Sequence, residues 1–135
     1  MEYSNKVRYS LQALLFLAQH PGVVIPVDEI GLKTAVPVPY LKKILVDLKR
    51  LGYVQSLRGS NGGYRIIRRP EQLTIGEVIT SLEGKLPSLL EQAKNKEPYL
   101  LIGLFSIVEE TLHKTFATTT LAELLEALER EPVVD

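Results

Sequence analysis

Residues 38–69, VPYLKKILVDLKRLGYVQSLRGSNGGYRIIRR, decide the fold. Leu41, Ile44, Leu45, Leu48 and Leu51 recur every three or four residues, the spacing that gathers side chains on one face of an α-helix. Pro39 stands where a first-turn proline loses no intrahelical hydrogen bond, and Gly52 is a natural stop, so the spacing predicts a helix from about Pro39 to Leu51. Tyr40, Lys42, Lys43, Lys49 and Arg50 fall away from the apolar face, so the open side of this helix is basic. Two β-favouring runs follow, YVQSLR and YRIIRR, joined by Gly59-Ser60-Asn61-Gly62-Gly63; together they read as a hairpin with a mobile tip.

Upstream, Asp28 and Glu29 are acids placed for the first turn of a short helix ending near Thr34, preceded by an extended piece, Val23 to Pro26. Before that, Val7, Leu11, Leu14, Leu15 and Ala18 recur at helical spacing behind Ser4, and Pro21-Gly22 closes a helix over about 4–20. The order helix, helix, turn, helix, hairpin is that of a winged helix-turn-helix, mostly α with a small β-hairpin wing.

Downstream, Thr74 with Glu77 and Thr120 with Glu123 have capping-box spacing, hydroxyl and carboxylate each satisfying a free helix amide. The first opens a helix with Ile75, Val78, Ile79 and Leu82 on its stripe, stopped at Gly84; the second opens one with Leu121, Leu124, Leu125 and Leu128. Residues 85–97 read as a polar connector with room for one helical turn at 89–92. From Pro98 to about Phe116 the chain is apolar nearly all round for three turns, more than a helix covered on one side needs. Glu109 and Glu110 end that run short of the roughly 20 residues a bilayer requires, so a subunit interface through Leu101, Leu104, Phe105, Val108 and Leu112 is expected rather than a membrane span. The chain thus divides into a DNA-binding unit, 1–84, and a connector with dimerisation helices, 85–135.

The formal net charge is zero, but the halves differ: residues 1–70 carry eleven bases against four acids, and residues 71–135 five against twelve. A net of +7 followed by −7 suits a module that meets phosphates at one end and a partner at the other. The 135-residue chain has no Cys, which excludes disulfides, thiolate nucleophiles and Cys-ligated metal centres. MEYSNKVRYS lacks the apolar stretch of a secretory signal, so a cytoplasmic address is expected. The inventory for catalysis is thin: His20 at a helix end reads as a dipole partner, and His113 near Glu109 and Glu110 as a solvated helix face before a weak metal site. No enzyme activity, cofactor or metal is expected. GSNGG lacks the following Gly-Lys-Ser/Thr and helix of a nucleotide-binding loop.

Arg58 before the hairpin tip and Arg65, Arg68 and Arg69 after it gather guanidinium groups as a wing on DNA backbone or in a narrow minor groove would. The first residues of the second helix of a helix-turn-helix meet base edges in the major groove. Here these are Val38, Pro39, Tyr40, Lys42 and Lys43; the lysines can donate to guanine edges or only to phosphates, and Tyr40 can touch DNA or pack on the core. With Lys6, Arg50, Arg58, Ser60, Asn61 and Gly62 they form the candidate DNA-binding set.

These residues resemble the winged-helix regulators typified by the iron–sulphur cluster regulator, the nitric-oxide-sensing repressor and the cysteine-metabolism repressor. Ser4-Asn5-Lys6-Val7-Arg8-Tyr9, Tyr40-Leu41 with Ile44 and Leu48, Leu57-Arg58-Gly59, Gly62-Gly63-Tyr64, and Thr74 through Glu83 carry the likeness. It implies a homodimer on a roughly palindromic operator in double-stranded DNA, with Arg58 entering the minor groove. It also marks a departure: cluster-bearing relatives have three cysteines where this chain reads GKLPSLLEQAKNKE, so a protein or small-molecule effector replaces the cluster as the expected signal. The alternative reading is a protein-interaction adaptor that reuses the fold without DNA, which a salt titration separates from the first.

Overall fold

The computed structural model describes residues 4–86, 88 and 98–130. Helix α1 (Asn5–Ala18) starts at Ser4, whose Oγ accepts the Val7 amide at 3.2 Å. It is followed by α2 (Val27–Thr34), α3 (Val38–Arg50), strands β1 (Val54–Leu57) and β2 (Gly63–Ile66), a 3-10 turn at Pro70–Gln72, α4 (Ile75–Glu83), α5 (Tyr99–Thr118) and α6 (Leu121–Arg130). The strands pair antiparallel from Val54 opposite Ile66 to Leu57 opposite Gly63. The extended piece before α2 joins them: Ile25 and Tyr64 exchange two backbone hydrogen bonds of 2.9 Å.

The apolar stripes read from the sequence meet in one core. Val7, Leu14 and Leu17 of α1, Ile30 of α2, Leu41, Leu45 and Leu48 of α3, and Ile79 of α4 are fully buried; each such side chain stabilises the fold by roughly 1.5–3 kcal/mol relative to exposure. Leu51, expected on that face, lies at the C-cap of α3, where the helix has ended, and is 39% exposed. Leu128 is likewise exposed, near the end of α6.

Helix α6, which the sequence reading grouped with the pairing segment, inserts Leu121 and Leu125 into this same core. Its start is tied to the start of α4: Ile75 N–H donates to the Thr119 carbonyl at 3.0 Å and Leu121 N–H to that of Leu73 at 2.9 Å. Thr74 and Thr120 each cap their own helix from this bridge, accepting the Glu77 and Glu123 amides. Gly76 is there because a Cβ would stand 2.8 Å from the Phe116 carbonyl oxygen, so α4 lies directly against the end of α5.

The Thr74 box is only half formed. The Glu77 carboxylate turns to Arg68, which donates to it twice, at 2.9 and 3.2 Å, and lies 5.6 Å over the Tyr53 ring. Of the connector, only Lys85, Leu86 and Ser88 are described; the turn expected at 89–92 lies outside the described residues.

Candidate nucleic-acid interface

Helices α2 and α3 form the helix-turn-helix, and the turn is built to hold them close. A Cβ on Gly31 would meet Val38 Cγ2 at 3.1 Å, tighter than an ordinary contact, so glycine lets the two helices approach here. Thr34 Oγ1 donates to the Ile30 carbonyl at 2.6 Å and accepts the Val36 amide, satisfying backbone groups at the helix end. Ala35 takes the left-handed conformation, φ 59°, that ends α2, and Val36 is buried beneath the turn.

With Leu41, Ile44, Leu45 and Leu48 inside, Pro39, Lys42, Lys43, Val46, Lys49 and Arg50 are exposed. At 100° per residue these positions form one outward face running the length of α3. Val38 is half-buried, because its side chain meets Gly31. Tyr40, left open between core and surface, is 60% exposed and its ring lies 6.0 Å from that of Tyr9. Lys6 reaches α3 from the start of α1: Asp47 takes it at 3.9 Å and Arg50 at 3.3 Å.

The wing is held beside α2 by the Ile25–Tyr64 bridge, which leaves no room for a side chain at position 63. A Cβ on Gly63 would fall 2.1 Å from the Ile25 carbonyl oxygen. Arg58, Ser60 and Asn61 are exposed at the tip and Gly62 is half-buried. A cleft lined by Pro26, Val27, Lys49, Arg58 and Gly62 brings the end of the recognition helix and the wing arginine to one place. Sequence reasoning placed Lys49 on the open side but left it and Val46 out of the candidate set; the 3.6-residue period carried on from Lys42 and Lys43 reaches Val46 in one turn and Lys49 in the next.

The expected guanidinium cluster at the tip is not formed as read. Arg65 lies along the hairpin, bonded to Gln55 at 2.9 Å. Arg68 and Arg69 come after β2, at the base, pairing with Glu77 and with Glu71. The hydrogen bonds that Arg68 donates to Glu77 hold its pKa above the ordinary value, with the charges of Glu77 and Tyr53 adding to them against the cost of burial. Tyr53 Oη and Ser81 Oγ, 2.6 Å apart, complete a brace between wing base and α4.

On α5 the expected interface residues divide. Leu104 and Val108 are exposed, whereas Leu101, Phe105 and Leu112 are half-buried. Tyr99, Leu100 (81% exposed) and Ile107 (68%) complete the open apolar surface. His20 is exposed and meets Phe16 edge-on; His113 is half-buried beside Glu109 and Glu110 in a shallow pocket. Among the described residues no group of three His, Cys, Asp or Glu is placed to hold a metal, and no helix is long and apolar enough to cross a membrane.

A family model described as "Rrf2: Iron-dependent Transcriptional regulator" matches residues 3–127. The chain belongs to the Rrf2 family of transcriptional regulators. Among its relatives is the HTH-type transcriptional regulator NsrR of Bacillus licheniformis, 30% identical over 118 residues, covering 87% of this chain and 82% of that one. Among solved structures, T. potens IscR superposes with a TM-score of 0.76 at 27% identity, covering 100% of this chain and 93% of IscR. CymR, described as the global cysteine regulator of B. subtilis, superposes with a TM-score of 0.72 at 28% identity, covering 94% and 98%. The winged helix is thus the Rrf2 fold. The family's iron dependence does not carry over through thiolates, since this Rrf2 chain has no Cys to hold an iron–sulphur cluster.

Proposed function

We propose that this Rrf2-family chain works in the cytoplasm as a homodimer on a roughly palindromic operator, without catalysis and without a cysteine-ligated cluster. The observation that carries the reading is the outward face of α3, where Lys42, Lys43, Lys49 and Arg50 stand exposed in line with Arg58 of the wing. A helix of this kind fits the major groove, and a neighbouring arginine on a β-hairpin suits the adjacent minor groove or backbone. Val46, 48% exposed among these cations, offers an apolar contact of the kind that a thymine methyl accepts.

Residues 1–84 meet the duplex, and within 85–135 the open face of α5, Tyr99, Leu100, Leu104, Ile107 and Val108, pairs two protomers about a two-fold axis. Pairing sets the two recognition helices about 34–36 Å apart, one helical turn of DNA. A protein or small ligand acting on the connector would switch the protein by favouring one such spacing over another.

The test joins two measurements. Fluorescence anisotropy against genomic fragments retained by the protein should give log affinity that falls linearly with log salt, and sedimentation should give a dimer at micromolar concentration. Binding that is indifferent to salt favours the adaptor reading, and a monomer on a single half-site defeats the dimer. Operator affinity should also be the same with and without reductant, because no thiolate is present to titrate an oxidant.

A further inference from the structure

We propose that Asp47 is a specificity-determining residue that restrains binding to duplex of arbitrary sequence, an inference that rests on the DNA-binding reading above. It is the one acid of α3, on a helix whose exposed charges are otherwise Lys42, Lys43, Lys49 and Arg50. Its carboxylate lies 3.3 Å from Arg50 Nη1 and 3.9 Å from Lys6 Nζ, so it collects one cation from its own helix and one from α1. The Asp47 side chain is 25% exposed and its partners are more open, Lys6 at 49% and Arg50 at 73%. Ion pairs this exposed contribute little to folding, so stability gives no reason for an acid at this position.

The electrostatic consequence is larger. A negative charge beside a surface that meets phosphates opposes every duplex equally, whatever its sequence. Sequence-independent binding grows with the number of phosphates that cations neutralise, and Asp47 occupies two of those cations. It also biases the exposed Arg50 guanidinium, 3.3 Å away, toward one direction. A donor biased in this way favours a duplex that offers an acceptor there, whereas a free one settles on any phosphate. Asp47 therefore lowers affinity for random DNA more than for the operator and widens the gap between them.

The substitution Asp47→Asn keeps the shape and removes the charge. Wild-type and D47N proteins are titrated, over about 50–200 mM salt, against random-sequence duplex and against a duplex selected by the wild type from genomic fragments. D47N should bind random duplex roughly three- to tenfold tighter at about 100 mM salt, with a log–log salt slope steeper by about 1 to 2. Affinity for the selected duplex should rise less, so the ratio of the two falls. Asp47→Ala should give the same gain, and replacing Lys6 and Arg50 together by Ala in the D47N background should abolish it. Equal or weaker random-duplex binding by variants whose circular dichroism matches the wild type overturns the proposal and leaves DNA binding standing. A wild type that binds no duplex in a salt-dependent way overturns both.

Discussion

Ala35 is the residue where backbone strain in the helix-turn-helix can be measured. It ends α2 at φ 59° and ψ 20°, where an L residue with a Cβ is held at a cost of roughly 1–2 kcal/mol. Its methyl group is exposed, so its removal forfeits no packing. Ala35→Gly relieves the strain but gives the unfolded chain more freedom, which returns roughly 0.4–1 kcal/mol. The balance is a stabilisation of roughly 0.5–1 kcal/mol, a rise in Tm of about 2–4 °C for a domain of this size. Ala35→Val works in the opposite sense, because a β-branched side chain tolerates the left-handed region least, and should cost about 1–3 kcal/mol. Both are read by thermal unfolding followed by circular dichroism, at one protein concentration because association shifts Tm by mass action. A Gly variant that melts below the wild type, or a Val variant that melts with it, would refute the reasoning.

Three further outcomes follow from the site and the core. Arg58→Ala should weaken operator binding by about 1–3 kcal/mol and relax preference where the wing reads, as followed by fluorescence titration against variant duplexes. Leu104→Glu, and equally Ile107→Glu, should yield monomer by sedimentation and lose tight operator binding, since an unpaired carboxylate buried at an interface costs several kcal/mol; Phe105→Glu, on the half-buried side, should lower Tm first. Leu121→Ala should cost about 2–5 kcal/mol in urea unfolding, because the side chain is fully enclosed in the core.

Local signals carried most of the fold. The 3.6 period of Leu41, Ile44, Leu45 and Leu48, the β-favouring runs either side of GSNGG, and the caps at Ser4, Thr74 and Thr120 are events within a few residues, and the elements start and stop close to where these place them. What was not legible depends on partners far along the chain. Arg68 read as a wing-tip cation because nothing local says that Glu77, a turn into the next helix, takes its guanidinium. That choice also emptied the carboxylate half of the Thr74 capping box. A helix apolar all round has no marked side, so the sequence chose interface positions on α5 without knowing that Phe105 and Leu112 turn inward and that Tyr99, Leu100 and Ile107 stay open. Tyr40 was undecidable because its neighbour is remote in sequence: it stays 60% exposed, with its ring 6.0 Å from that of Tyr9 on another helix.

The bridge between Thr74 and Thr120 has a consequence for how the protein comes into being. A nascent chain that has passed the wing has every residue of the helix-turn-helix but lacks Leu121 and Leu125, which close the core against α1. Ribosomes add about 5–20 residues per second, so for roughly 3–12 s the partly made core lies open at one side. Helix α5 is synthesised within that interval, before the core is sealed. Closure of the core around α1 is thereby delayed until α5 has already been made, and a chain cut short before Leu121 leaves that side of α1 uncovered.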